Sequence, residues 1–235
     1  MKYCLPTVIW PNELCVCYCF VMVEQEGATL IDSGVLLERF KVEHFLRKIN
    51  LPLQKIYLTH SHPDHAGNAA YVSKKWKVPV YASADELPYL FGTKKLAPRN
   101  YEGANLRTRF IQLGDAFLPT PRIPWAKAYE EDRDFSERYR WIPIPGHTPG
   151  NGALLHLKTK SLFLGDSLLN CNTLSWRQPV GLSFPHHFFS QNQALAIRST
   201  TVLKELDFDH AFFGHGPPIL KAAQKQIADF LGSRK

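Results

Sequence analysis

Short apolar blocks separated by polar punctuation run the length of this chain, and their periods predict strands alternating with helices. Cys15 to Val23 is a β-rich run, Glu24-Gln25-Glu26-Gly27 a turn, and Ala28 to Ile31 a second strand. Leu36, Leu37, Phe40, Phe45, Leu46 and Ile49 recur at steps of three and four, which predicts a helix over 36–49. Lys55 to Leu58 reads as a short buried strand, 66–76 as a helix and Val78 to Ala82 as another strand. Later signals predict strands at 140–144, 152–157, 161–164 and 210–213, and a helix over 191–206. A closing helix is expected over 218–231, with Pro218 in its first turn. This order implies an α/β layered fold with helices covering a sheet.

The stretch 83–140 breaks the pattern. Pro88, Pro98, Pro119, Pro121 and Pro124 interrupt any long element, so it reads as an insertion draped over the sheet, a cap. No linker or low-complexity segment divides the 235 residues, which favours one domain. With 45% hydrophobic and 21% charged residues, and 15 Phe, 9 Tyr and 5 Trp, the chain can bury a core, and disorder is not expected. The longest apolar run is far shorter than the roughly 20 residues of a membrane span. Met1 to Pro6 lacks the apolar region of a secretory signal, so a cytoplasmic location is expected.

Net charge is +7, and residues 72–140 carry 13 Lys/Arg against 9 Asp/Glu, or +4 of it. That excess reads first as a solvated basic face, with an anionic partner as the alternative. The acidic run Glu130, Glu131, Asp132 and Asp134 would repel a nucleic-acid strand crossing it. The five cysteines (Cys4, Cys15, Cys17, Cys19, Cys171) are odd in number and form no Cys-x-x-Cys pair, against a disulfide framework or structural zinc. Cys15, Cys17 and Cys19 alternate, so they are expected on one strand face as buried apolar thiols, with metal binding as the lesser alternative.

Five of the ten histidines fall in three short loops after apolar strands: His60-Ser61-His62-Pro63-Asp64-His65, Gly146-His147-Thr148, and Gly214-His215-Gly216. Asp32 and Asp166 occupy similar strand ends, in Asp32-Ser33-Gly34 and Gly165-Asp166-Ser167. In a loop, His60 and His62 can point one way while Asp64 and His65 turn toward a neighbouring point. One short stretch can thus supply two ligands to each of two adjacent cations, since imidazole suits zinc and iron and a carboxylate can bridge two ions. His44, His156 and His210 read as structural, and His186 and His187, in an aromatic loop, as a wall of a substrate pocket or as structural.

These motifs, spread from Asp32 to Gly216, resemble the metallo-β-lactamase superfamily. The resemblance implies an αββα sandwich with metals at the sheet edge, formed by a single domain over 1–235 with the cap insertion at 83–140. It implies that His60, His62 and His147 bind one metal, that Asp64, His65 and His215 bind a second, and that Asp166 bridges them. Asp32 would orient the ligand loop. Two divalent ions follow, Zn first and Fe or Mn as alternatives. Held about 3.5–4 Å apart, they can carry a hydroxide that attacks a polarised carbonyl, with Asp64 receiving a proton. No Gly-x-Ser-x-Gly elbow suggests a serine nucleophile.

The fold hosts many reactions. True β-lactamases of the family lack an aspartate where Asp166 stands. Glyoxalase II-type thiolester hydrolysis fits the ligands, although the twenty residues after His215 are too few for that group's helical glutathione-binding domain. Lactonases carry a tyrosine where Leu169 stands here. The expectation is a dinuclear metal-dependent hydrolase of a small ester, lactone or thiolester. A phosphodiesterase or ribonuclease of the same fold, and a mononuclear-iron persulfide dioxygenase, are the alternatives. The expected partner is a small-molecule substrate, with neither nucleic acid nor membrane, and the pattern does not define an oligomeric state. Phe184, Phe188, Phe189 and Leu169 are expected to line an apolar pocket.

Overall fold

The computed structural model describes residues 2–5, 8–10, 17–98, 101–115, 118, 121–132 and 134–233. The chain divides into two compact units, Met1–Lys95 with Thr120–Asp132, and Leu96–Pro119 with Arg133–Lys235. The expected cap is therefore shared out: 83–95 and 120–132 fold with the first unit, 96–119 and 133–140 with the second.

The first unit is built on a seven-stranded sheet in sequence order: β1 (Lys2–Leu5), β2 (Val8–Trp10), β3 (Phe20–Glu24), β4 (Gly27–Ile31), β5 (Leu53–Tyr57), β6 (Val80–Ala82) and β7 (Lys127–Ala128). Pairing is antiparallel from β1 to β4 and parallel from β4 to β7. The connections dictate the change. A two-residue turn joins β3 to β4, whereas parallel neighbours need crossovers, supplied by α1 (Arg39–Ile49) and α3 (Ala69–Trp76). Val21, Leu30, Phe45, Ile56, Val72 and Val80 share one buried cluster, each large side chain contributing about 1.5–3 kcal/mol.

The helix expected over 36–49 opens as a 3₁₀ turn, Leu36–Glu38. Its tighter winding takes Leu36, Leu37 and Phe40 off the buried stripe, and all three are exposed, while Val42, Phe45 and Leu46 are buried. Cys17 and Cys19 precede β3 and are not part of it, which corrects the expected strand face; Cys15 lies outside the described residues. The helix expected over 66–76 is two pieces, α2 (Pro63–Ala66) and α3, divided at Gly67-Asn68. The short α4 (Leu87–Leu90) completes the unit.

In the second unit, α5 (Leu106–Asp115) occupies a proline-free part of the segment expected to lack regular structure. Leu106, Phe110 and Leu113 recur at four- and three-residue steps along it and are all exposed. After α6 (Phe135–Arg138) come β8 (Tyr139–Pro143), β9 (Gly152–His156), β10 (Ser161–Phe163), β11 (Leu169–Cys171) and β12 (Val180–Ser183). Then α7 (Gln193–Ser199), β13 (His210–Phe212) and α8 (Ala223–Gly232) follow. The main sheet runs β13-β10-β9-β8, parallel only between β10 and β13, and β11 pairs with β12 separately. α8 starts five residues later than the sequence suggests because Ile219 is held to Ala211 as a bridge at the sheet edge. Phe184, partly buried, packs on Phe230 and against the core of this unit. No helix among the described residues is long and apolar enough to cross a membrane.

Candidate metal centre

In the first unit, β5 delivers the chain directly into the loop His60–His65, where all three histidines are buried. His60 Nε2 lies 3.2 Å from His62 Nδ1, and the His60 and His65 rings stand 4.1 Å apart. Asp64 and His65 belong to α2, whose N-terminal Pro63 fixes the turn that separates them from His60 and His62.

Asp32 follows β4 directly, in the left-handed region at φ +55°. That conformation costs a non-glycine residue about 1–3 kcal/mol, and buried hydrogen bonds hold it. One carboxylate oxygen accepts from the Thr59 amide at 2.8 Å, and the other accepts from the Thr59 hydroxyl and faces His65 Nδ1, both at 2.8 Å. With Nδ1–H directed at Asp32, His65 presents Nε2 as its lone-pair nitrogen, the arrangement by which a carboxylate orients a metal-binding imidazole.

Three further side chains brace this loop. Asn68 donates to the carbonyls of Ser33 and Val35, tying the ligand loop to the Asp32 loop. Glu86, fully buried, accepts from the Ser61 amide at 2.7 Å, between the two histidines. Tyr129, also fully buried, donates its hydroxyl to the Leu58 carbonyl just before the loop. Burial foremost, then the Asp32, Glu86 and Glu130 charges, pushes that phenol well above its ordinary value, so it stays a donor. The sequence carried no signal for Glu86 or Tyr129, whose partners lie 25 and 71 residues away.

In the second unit the donors come from three separate strand ends: His147 after β8, Asp166 after β10 and His215 after β13. His147 Nε2 and His215 Nε2 each lie 3.4 Å from Asp166 Oδ2. Gly146, at φ +128°, sits where a Cβ would stand 2.2 Å from the Ala196 amide nitrogen. Asn151 donates to the Ile144 carbonyl and the Ser167 hydroxyl, and the Asn170 amide donates to the His215 carbonyl. Asn192 caps α7 by accepting from the Leu195 amide, while its own amide donates to Gly146.

The donor set fits a divalent metal. Imidazole nitrogen and carboxylate oxygen bind zinc at about 2.0–2.2 Å, and two such ligands on one tetrahedral ion stand about 3.3 Å apart. The separations in both units, 3.2 and 3.4 Å, match that spacing.

Comparison with known proteins agrees. The family model for the metallo-beta-lactamase superfamily matches residues 12–215, and the chain belongs to this superfamily. It is 28% identical to the probable metallo-hydrolase YflN of Bacillus subtilis over 71% of this chain and 66% of that protein. It is 26% identical to the hydroxyacylglutathione hydrolase GloC of Haemophilus influenzae, over 62% of this chain and 63% of that protein. These matches thus span just under two thirds of either relative. The fold is also that of a metallo-beta-lactamase family protein from Thermus thermophilus, with a TM-score of 0.65 at 19% identity, covering 97% of this chain and 79% of that one.

Proposed function

We propose that this protein is a dinuclear metal-dependent hydrolase of a small ester, lactone or thiolester. The observation that carries the reading is three donor pairs at the spacing of ligands that share an ion: His60 with His62 at 3.2 Å, and His147 and His215 each with Asp166 at 3.4 Å. His60, His62 and His147 would hold the first ion and Asp64, His65 and His215 the second, with Asp166 between them. Zinc is the expected metal, with iron or manganese as alternatives. Bound there, the ions would lower the pKa of water toward about 7 and polarise a carbonyl.

The chain's own residues do the rest. Asp32 holds the His65 proton at Nδ1 and so keeps Nε2 a ligand. Asp64, a quarter exposed, can hold the proton released when a tetrahedral intermediate collapses. Glu86 and Asn68 keep the loop rigid, which preserves ligand geometry. Substrate choice is assigned to 83–140 with 182–190. In the second unit Tyr101 stacks on Phe188 at 6.1 Å, and the His186 ring lies 4.5 Å from Phe188, an aromatic surface suited to an apolar acyl or thioether group. The name of the Haemophilus relative supports thiolester chemistry, and the acidic run at 130–134 counts against nucleic acid.

Metal analysis with a panel of thiolester, lactone, phosphodiester and persulfide substrates tests the reading. About two metal equivalents and turnover of a carbonyl substrate are expected. A single iron equivalent with oxygen uptake on a persulfide would replace it with a dioxygenase. Salt-sensitive cleavage of a structured RNA, abolished by His62→Ala, would make it a nuclease.

A further inference from the structure

Cys17 is the one described thiol that faces the ligand loop. Cys19, two residues on, lies in the apolar cluster of the first unit, where burial foremost, then Asp32, holds its thiol far above the usual range. Cys171 is pushed up to about 11, first by burial and then by Asp166. Cys17 is also buried, but its Sγ donates to the main-chain carbonyl of Asp64. Strand register explains the placement. Phe20 pairs with Ile31, so the chain just before β3 passes the end of β4 where Asp32 stands and α2 begins.

The contact brings three donor types together. Cys17 Sγ, a carboxylate oxygen of Asp64 and a ring nitrogen of His65 all lie within 4.8 Å of one another. Thiolate and imidazole ligands of a single tetrahedral zinc ion stand about 3.6 Å apart, so the three donors have to close by up to about 1 Å to share one ion. His65 has Nδ1 directed at Asp32, which leaves Nε2, 3.9 Å from the Asp64 carboxylate, on the side of the cluster.

We infer that Cys17 is a thiolate ligand of the ion held by Asp64 and His65, giving that position one sulfur donor beside its oxygen and nitrogen donors. On binding, the S–H bond breaks, its proton leaves to solvent, and the sulfur lone pair forms the bond to the cation, as happens to coordinating thiols in general. No electron is transferred and no oxidant is needed. A soft donor favours zinc or cobalt over manganese at this position. The inference rests on the dinuclear reading and sharpens it, by choosing among its candidate metals.

Cobalt(II) reconstitution of the full chain separates the two. Wild-type protein and a Cys171→Ala control should each bind about two equivalents and show a thiolate-to-cobalt charge-transfer band in the near ultraviolet, besides the visible ligand-field bands. Cys17→Ser and Cys17→Ala should lose the ultraviolet band, keep the visible bands of the remaining ion, and release the second equivalent at least about tenfold more readily. Two cobalt equivalents with no thiolate band in the wild type would overturn the role of Cys17 and leave the dinuclear reading standing. One equivalent with a band lost in Cys17→Ser would uphold Cys17 and overturn the count. A band that survives in Cys17→Ser, in protein whose circular dichroism is unchanged, would also overturn it.

Discussion

The two units present their donors in opposite ways. In the first, His60, His62, Asp64 and His65 follow one another on a single loop, and Asp32, Asn68 and Glu86 hold that loop by short hydrogen bonds. In the second, His147, Asp166 and His215 arrive on three different strand ends and meet only because β8, β9, β10 and β13 are in register. The contrast separates two sources of precision. A contiguous loop is set by local bracing, so damage there should loosen one ligand at a time. A site assembled from distant strand ends depends on the sheet, so damage there should appear as lost stability and lost metal together.

The largest expected effect tests direct ligation against orientation. Asp166→Ala should lower bound metal from about two equivalents to below about one, whereas Asp32→Ala should retain metal at saturating supply with affinity about 10–100-fold weaker. Equal losses, measured by elemental analysis, would erase the distinction. Next, Gly146→Ala should destabilise the protein by about 2–5 kcal/mol, since it combines an unfavourable φ with overpacking against the Ala196 backbone. That corresponds to a melting temperature lower by about 5–15 °C, with metal lost in parallel. Gly103→Ala is the control: at φ +74° with no atom within 4 Å of the added Cβ, it should cost only about 1 kcal/mol. Similar losses in both would show that crowding at Ala196 is unimportant.

A smaller effect belongs to the braced loop. Glu86→Gln keeps an acceptor for the Ser61 amide but removes its charge, and should cost about 1 kcal/mol with a metal affinity change under about tenfold. A loss of metal as large as that of Asp166→Ala would mean that Glu86 does more than brace. The smallest effect concerns pH. Burial first, then His187, lowers the pKa of His186 below its ordinary 6.5. The unfolded chain then takes up this proton more readily than the folded one, so stability is lost as pH falls below about 6.5. His186→Gln should flatten the fall in melting temperature between pH 7.5 and pH 5.5, and an unchanged fall would assign it to other groups.

What the sequence disclosed follows the same contrast. The His60–His65 cluster was legible because its donors are contiguous, and no fold is needed to see them together. His147, Asp166 and His215 stood out as polar residues at apolar strand ends, but their grouping came from family resemblance; only the folded sheet sets them 3.4 Å apart. Glu86 and Tyr129 leave no trace in the sequence because a long-range brace has no local pattern. The alternation of Cys15, Cys17 and Cys19 suggests a strand face, yet the strand begins at Phe20 and the Cys17 thiol turns to Asp64 instead. The helical period at Leu106, Phe110 and Leu113 was present but hidden among prolines, and its stripe faces outward, contrary to the usual rule for amphipathic helices.

Gly67 closes the ligand loop in an ordinary helical conformation, at φ −56°, so the need for glycine there has nothing to do with backbone freedom. A Cβ would stand 2.2 Å from the Pro63 carbonyl oxygen and 2.8 Å from both the Gly34 oxygen and the Leu36 nitrogen. In a saturation mutagenesis map of this chain, position 67 should therefore look as intolerant as the histidines beside it, though glycine has no side chain with which to touch a reacting atom. Anyone mining such a map for active-site residues would count it among them. The distinction would emerge only from a separate measure of folded protein, in which Gly67 variants drop out and ligand variants persist.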